Sequence, residues 1–180
     1  MADTFRLTLA QLNPTVGAIS ANADKARAAW AEGKASGAGM VALTEMFITG
    51  YQTRDLILKP AFVADAMAAI EQLAKDCADG PALGIGGPWW DGDDLYNAYF
   101  VLEGGRVAAR VLKHHLPNDT VFDEVRLFAS ADVAGPYRVG PIRIGTPICE
   151  DAWHEDVTET LAETGAEILL VPNGSPYYRN

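Results

Sequence analysis

Cys149 lies in a sequence setting that suits a nucleophile. It follows an apolar segment over residues 142–148, at the point where the chain turns toward a predicted helix. A thiolate near a helix N-terminus is stabilised by the positive end of the helix dipole and by free backbone N–H groups, and the same groups can bind an oxyanion. The alternative is a small buried cysteine that packs as an apolar residue. We interpret Cys77, near the end of a predicted amphipathic helix, in that second way.

Two charged residues also follow predicted strands. Glu45 comes after the apolar run at residues 40–43, and Lys113 comes after a predicted strand at residues 106–112. A carboxylate at a strand end can serve as general base for a nearby thiol, and a lysine there can stabilise a developing negative charge. Each has an ordinary alternative, a surface or helix-capping acid for Glu45 and a solvated surface lysine for Lys113.

The elements that must position these residues alternate between strands and helices. Apolar alternation and short apolar runs predict strands, and Glu103-Gly104-Gly105 predicts the turn of a β-hairpin. The predicted strands are residues 5–11, 40–43, 82–86, 96–102, 106–112, 137–139, 142–146 and 167–171, and the predicted helices are residues 23–36 with Asn22 as cap, 61–78 and 155–163. This order predicts an α/β fold with antiparallel pairs mixed in, whose strand ends face a ligand crevice.

Length, composition and charge narrow the class of protein. The chain has 180 residues, 49% of them hydrophobic and 21% charged, which is ordinary globular composition. The formal net charge of −10 argues against nucleic acid as a partner. No apolar run approaches the roughly 18–20 residues of a membrane span, and the N-terminus has no basic segment leading into an apolar one. We therefore expect neither a membrane association nor a secretory signal. The two cysteines, Cys77 and Cys149, cannot form a disulfide framework, so we expect a reducing, cytoplasmic location.

Several common sites are not indicated by motif. His114, His115 and His154 show no metal-ligand spacing, and there is no HExxH, so we expect no metal site. The stretch Gly84-Ile85-Gly86-Gly87-Pro88 is not GxGxxG, and no GxxxxGK[ST] is present. A dinucleotide-binding module is therefore not favoured.

Five stretches follow one another along the chain in a recognisable order. They are residues 7–17 with Asn22, 43–46 with Gly50-Tyr51, 113–118, 147–153 and 172–177. Taken together in this order, they resemble the nitrilase superfamily of carbon–nitrogen hydrolases. Within it, residues 116–118 with 121–124, and residues 147–153, are similar to the glutaminase domain of glutamine-dependent NAD⁺ synthetases. The resemblance implies a four-layer αββα sandwich and a Glu-Lys-Cys triad, which falls on Glu45, Lys113 and Cys149.

The resemblance also implies substrate-binding positions. Glu124 matches a second glutamate near the triad, and Ser175 matches a position that contacts the amino-acid end of the substrate. The backbone N–H near Glu150 would help to hold the oxyanion. Asp119 and Thr120 stand where this branch usually has Tyr-Gly, a departure at a position that contacts glutamine. The alternatives are a solvent-facing loop acid for Glu124 and an ordinary turn serine for Ser175.

The same resemblance implies a larger protein. We expect residues 1–180 to be one hydrolase domain that lacks its last strands and helices, and an ATP-dependent synthetase domain to follow in the full-length protein. The chain contains no SGGxDS-type loop, so ATP and Mg²⁺ are expected only in that other domain and no cofactor in this one. Expected partners are L-glutamine, the synthetase domain and further copies of the chain in a homo-oligomer.

Two other interpretations stay open from the sequence. The chain could be a stand-alone amidase of the same superfamily that acts on another small amide with the same triad. It could also be an inactive truncated domain, because loss of the last strands would expose apolar sheet surface and an open sheet edge.

Overall fold

Residues 4–175 are described by the structure, a computed structural model. Pro176 and Tyr177 of the last sequence motif, and the first three residues of the N-terminal segment, lie outside this range. The strands are β1 (Leu7–Leu9), β2 (Met40–Ala42), β3 (Ala82–Trp90), β4 (Leu95–Glu103), β5 (Arg106–Leu112), β6 (Tyr137–Val139), β7 (Ile142–Gly145) and β8 (Ile168–Leu169). The α-helices are α1 (Ile19–Ala35), α2 (Pro60–Asp76) and α3 (Glu155–Glu163), and short 3₁₀ helices cover Arg54–Leu58 and Cys149–Trp153.

The strands form two sheets. The first has the order β1-β2-β3-β4-β5, with parallel pairing from β1 to β3 and antiparallel pairing from β3 to β5. The second has the order β6-β7-β8, in which β6 and β7 are antiparallel and β7 and β8 are parallel. This is the mixture of parallel and antiparallel pairs that the sequence predicts.

The central strands β2, β3 and β4 of the first sheet are buried on both faces over most of their length, which explains why they are mainly apolar without a polar side. Side chains at alternate positions divide between two cores, as the period of two in a strand requires. Phe100 and Leu102 pack toward α1 and α2, whereas Tyr99 and Val101 pack with residues of the second sheet.

The helices cover the outer faces of the two sheets. Helix α1 lies so close to the first sheet that a Cβ atom on Gly33 would be only 2.2 Å from Cγ2 of Val41. Helix α3 covers the second sheet, where its buried Leu161 reaches Gly145 of β7. The four layers are therefore helices, first sheet, second sheet and helix, and the predicted αββα sandwich is confirmed.

The predicted strands at residues 5–11 and 167–171 are shorter in the structure, and two further local predictions differ from it. Strand β3 continues through Pro88 to Trp90, whereas the predicted strand ends at residue 86. Strand β2 pairs with β3 only as far as Gly84. At Pro88, therefore, no residue of β2 requires an N–H donor from β3, and proline is tolerated there. Asn22 does not cap α1, which begins at Ile19. Its buried amide instead binds the backbone of a neighbouring loop.

In the part of the chain from residue 4 to residue 175, no helix combines the length and the apolar character needed to cross a bilayer.

Candidate active site

Four polar side chains are buried together at one edge of the first sheet. We call Glu45, Asn97, Lys113 and Glu124 the buried polar cluster, and none of them is more than 2% exposed. Lys113 Nζ lies 2.8 Å from Oε1 of Glu45 and 2.8 Å from Oε2 of Glu124. A buried cation between two buried carboxylates is costly to assemble, and such arrangements are concentrated at functional sites.

The sheet topology brings these residues together. Because β2 and β5 run in the same direction, Glu45 and Lys113 follow their carboxyl ends at the same edge of the sheet. Asn97 lies near the start of the antiparallel strand β4, and its carbonyl oxygen accepts a hydrogen bond from the Lys113 N–H at 2.9 Å. Glu124 reaches the same point from the long loop after β5.

Both oxygens of the Glu45 carboxylate are held. Oε1 accepts hydrogen bonds from Lys113 Nζ and from Asn97 Nδ2, each at 2.8 Å. Oε2 accepts the backbone N–H of Gly174 at 2.8 Å. A Cβ atom on Gly86 would come within 2.7 Å of the Glu45 backbone, so glycine is required for β3 to approach this closely. Glu45 therefore has one orientation, fixed from three sides.

Glu124 is a member of the cluster and not a solvent-facing loop acid. Its Oε1 accepts a hydrogen bond from the Tyr51 hydroxyl at 2.9 Å and one from Asn97 Nδ2 at 3.2 Å. Asn97 thus donates to both carboxylates. The sequence assigns no role to Asn97 or Tyr51, although a buried amide inside the largely apolar strand β4 is a signal that points to Asn97.

Cys149 lies on a sharp turn beside this cluster. It is the first residue of the 3₁₀ helix Cys149–Trp153, has a left-handed φ of +50°, and is 6% exposed. Its own N–H donates to the carbonyl oxygen of Pro172 at 3.1 Å. Within residues 4–175, the next N–H, that of Glu150, has no hydrogen-bond acceptor, which leaves it available to a ligand. The chain thus forms a single 3₁₀ turn at Cys149, ahead of the predicted helix over residues 155–163.

Asp151 fixes this turn against the segment that follows β5. Its Oδ2 accepts the N–H of Ile148 at 3.0 Å, and its Oδ1 accepts the N–H groups of His115 at 2.7 Å and His114 at 3.2 Å. The carboxylate points at backbone N–H groups of both segments and is 2% exposed. These three hydrogen bonds hold the turn at Cys149 against the residues that follow Lys113.

The electrostatics of the site keep the thiol protonated at rest. Burial and the Glu45 charge raise the pKa of Cys149 to about 12, against an opposing effect of Lys113. Burial alone would lower the pKa of Lys113, but the Glu45 and Glu124 carboxylates outweigh it and hold the pKa above its usual value. Burial also raises the pKa of Glu124, with Lys113 opposing the shift. Lys113 therefore stays charged, and Cys149 needs a base to become a thiolate.

A surface cavity leads to the cluster. It has a volume of about 400 Å³ and is lined by residues that include Tyr51, Arg54, Phe122 and Glu124. A second cavity shares Tyr51, Arg54 and Phe122 and adds Gly174 and Ser175. The rings of Tyr51 and Phe122, which line both cavities, stack with their centroids 6.2 Å apart.

The other predicted substrate-binding residues occupy different positions. Ser175 is exposed and lines the second cavity. Asp119 is exposed on the loop and is not among the residues that line either cavity in the described part of the chain. The Glu150 side chain is half-buried and its Oε1 lies 3.3 Å from Nε2 of His154. The structure thus groups Glu124 with Glu45 and Lys113 beside Cys149, places Ser175 on the second cavity and leaves Asp119 apart.

A comparison with known protein families identifies this arrangement. A model described as carbon-nitrogen hydrolase matches residues 6–180, nearly the whole chain. The chain belongs to the carbon-nitrogen hydrolase family. The resemblance stated from the sequence is therefore confirmed, and the αββα fold described above is the fold of this hydrolase family.

Similar proteins point to one group of carbon-nitrogen hydrolases. The chain is 65% identical over 179 residues to a glutamine-dependent NAD(+) synthetase from Rhodobacter capsulatus, covering 99% of this chain and 32% of the relative. It is 38% identical over 186 residues to one from Xylella fastidiosa, covering 99% of this chain and 33% of the relative. The chain thus spans about a third of the length of these relatives.

Solved structures agree on the fold. A glutamine-dependent NAD⁺ synthetase from Acinetobacter baumannii, in complex with adenosine diphosphate, has a TM-score of 0.91 and 30% identity over 97% of this chain and 33% of its own. The NitN amidase from Nesterenkonia has a TM-score of 0.81 and 22% identity over 94% of this chain and 66% of its own. At that identity the amidase supports the hydrolase fold and no particular substrate.

Proposed function

We propose that this carbon-nitrogen hydrolase domain hydrolyses the side-chain amide of L-glutamine through a thioester on Cys149. The observation that carries the proposal is the buried contact of Lys113 with Glu45 beside a protonated thiol, since it provides a base, a cation and a nucleophile in one place. The similarity to glutamine-dependent synthetases supports glutamine as the amide. The alternative of another small amide has no observation in its favour.

The mechanism uses Glu45 three times. Glu45 takes the proton of the Cys149 thiol, and the thiolate attacks the amide carbon to give a tetrahedral oxyanion. Glu45 then returns the proton to the leaving nitrogen, ammonia departs, and a γ-glutamyl thioester remains on Cys149. Water, deprotonated by Glu45, releases glutamate and restores the thiol. General acid–base catalysis of this kind contributes roughly 10²–10⁴ in rate.

Charge stabilisation in this mechanism comes from Lys113 and from the backbone. The ammonium of Lys113 and the free N–H of Glu150 are the donors to the oxyanion, and loss of one such donor typically costs about 10²–10³ in rate. Glu124 is a second carboxylate partner of Lys113 and is itself held by Tyr51. Glu124 is therefore a positioning residue in this proposal, and Ser175 a contact for the amino-acid end of glutamine.

The wider role follows from the relatives. We propose that the ammonia serves an ATP-dependent amidation of deamido-NAD⁺ to NAD⁺ in a synthetase domain of the full-length protein, reached through a channel for ammonia. ATP and Mg²⁺ belong to that domain and no cofactor to residues 1–180. A cytoplasmic location and a homo-oligomer remain predictions from the sequence.

The test is intact mass spectrometry after exposure to a diazo-ketone analogue of glutamine, which alkylates an activated thiol in a glutamine pocket. We expect one adduct on the wild type and on Cys77→Ala, and none on Cys149→Ala. An adduct on Cys149→Ala, or none on a wild type that melts cooperatively, would contradict glutamine as substrate. A panel of other small amides with ammonia detection would then identify the competing amidase activity.

A further inference from the structure

We propose that His114, His115 and Asp156 form a binding site for a divalent transition-metal ion such as Zn²⁺. His114 and His115 directly follow Lys113 in the chain, and Asp156 lies in the first turn of α3. None of the three takes part in the proposed mechanism, so this inference is independent of the proposed function. Spacing along the sequence does not indicate the site, because Asp156 is distant from the histidines and α3 brings it to them.

The ligand atoms are close enough to share one ion. His115 Nε2 lies 2.9 Å from Oδ1 and 3.0 Å from Oδ2 of Asp156, and His114 Nε2 lies 3.7 Å from Oδ2. All three ligand positions fall within 4.8 Å of one another. Two ligands of a tetrahedral Zn²⁺ with bonds of about 2.0–2.1 Å are about 3.4 Å apart, so small side-chain movements suffice.

His114 is already in the tautomer that a metal requires. Its Nδ1 lies 2.5 Å from the carbonyl oxygen of Ala131, which can only accept, so Nδ1 carries the proton and Nε2 has a free lone pair. Metal-binding histidines usually donate their second N–H to such a carbonyl or carboxylate, which fixes the ring. The hydrogen bond to Ala131 is therefore the outer support that a metal ligand needs.

The backbone under both histidines is fixed as well. Asp151 accepts the N–H groups of His114 and His115, and Asp156 lies in the first turn of α3. The ring of His115 stacks on that of His154, with 3.8 Å between centroids. The ligands thus come from rigid segments, and binding costs little ordering of the chain.

The chemistry of the set selects the class of ion. Two imidazoles with one carboxylate suit borderline ions such as Zn²⁺, whereas Mg²⁺ and Ca²⁺ prefer oxygen ligands. All three residues are partly or fully exposed, so water can complete the coordination. The net charge of −10 also attracts cations to the surface. The competing explanation is an ordinary hydrogen bond between His115 and Asp156, with no affinity for metal.

The test is a titration with Zn²⁺ against a chromophoric chelator, in a Cys149→Ala chain so that the active-site thiol cannot bind the ion. We expect one Zn²⁺ per chain and a higher melting temperature with Zn²⁺. His115→Gln and Asp156→Asn should each weaken binding by more than the roughly 10–100-fold that loss of an outer-shell partner costs. Glu155→Gln, an exposed neighbour of Asp156 at the start of α3, should bind as the parent does.

Other results would overturn the site. Absence of binding, or equal binding by the parent, His115→Gln and Asp156→Asn, would show that these residues do not hold the ion. Displacement of Zn²⁺ by equimolar Mg²⁺ would reduce the site to a patch of negative charge. Melting curves without metal check that the surface substitutions leave the fold intact.

Discussion

Lys113 Nζ and Glu45 Oε1 form a 2.8 Å ion pair in which neither side chain has any exposed surface. The pair joins the ends of two strands of one sheet, and Glu124 adds a second carboxylate to the same ammonium. Because water cannot replace any of these partners, the pair both holds the edge of the sheet together and defines the charge that faces Cys149.

Loss of the lysine should therefore damage the fold as well as the chemistry. Lys113→Met keeps the length of the side chain but leaves buried carboxylates without their cation, and we expect a loss of about 3–5 kcal/mol in free energy of unfolding. The double variant Lys113→Met/Glu124→Gln removes one of the two carboxylate charges that lack a cation, and it should be less destabilised than Lys113→Met alone. Urea denaturation measures both.

The control for this prediction is Lys75→Met, an exposed lysine at the end of α2. Its free energy of unfolding should stay within about 0.5 kcal/mol of wild type. A Lys113→Met variant as stable as Lys75→Met would show that the buried pair contributes nothing to the fold.

Asp151 should make the stability depend on pH. Burial raises its pKa in the folded chain, against the opposing backbone hydrogen bonds, so the folded state holds the proton to higher pH than the unfolded state. The contribution is complete below the unfolded pKa of about 3.9 and is lost as pH rises through the folded pKa. Asp151→Asn cannot titrate, so its deficit in free energy of unfolding should shrink from pH 4 to pH 7.

Urea denaturation across this pH range gives the difference between the two proteins, and Asp119→Asn, at an exposed loop position, serves as control. A deficit that grows with pH would mean that the hydrogen bonds to the carboxylate outweigh its burial.

Much of the fold could be predicted because its signals are local. The hairpin around Gly104 follows from turn residues between two apolar strands, and the structure places β5 over the predicted residues. Helix α3 has the predicted bounds because its apolar residues, Val157 and Leu161, recur at helical spacing. Glu45, Lys113 and Cys149 could be selected because each follows a strand, and strand ends meet at sheet edges.

The remaining features depend on contacts distant in sequence. From the local sequence, Pro88 is expected to end a strand, because proline has no N–H to donate. Strand β3 nevertheless continues through it, because β2 pairs with β3 only as far as Gly84 and needs no donor from Pro88. Asn22 is of a residue type that often caps helices, yet its side-chain amide forms hydrogen bonds with the backbone of Thr15 and Ile48. The direction of the Asp151 carboxylate depends on the end of β5, which no spacing around Cys149 reveals.

Gly174 should be essential to the position of Glu45. Its N–H donates to Oε2 of Glu45, and a Cβ atom there would lie 2.5 Å from the Tyr51 ring and 3.0 Å from that same oxygen. Gly174→Ala should displace the carboxylate and slow adduct formation with the diazo-ketone analogue by about 10², the cost of a misplacement of about 1 Å. Gly135→Ala, where a Cβ meets no atom within 4 Å, is the matched control. Equal rates for the two variants would show that Glu45 tolerates the shift.

Glu45→Gln should make the Cys149 thiol easier to deprotonate and yet slow the hydrolysis of glutamine. Burial and the Glu45 charge raise the pKa of Cys149 to about 12, and Lys113 opposes them. Removal of the carboxylate charge should lower this pKa, so the pH midpoint for iodoacetamide alkylation of Cys149, followed by peptide mass spectrometry, should fall. Glutamine hydrolysis should nevertheless fall by about 10²–10⁴, because the base is lost. Glu32→Gln, on the exposed face of α1, should change neither. A midpoint that stays at its wild-type value would mean that Glu45 carries no charge beside the thiol, which the proposed first proton transfer requires.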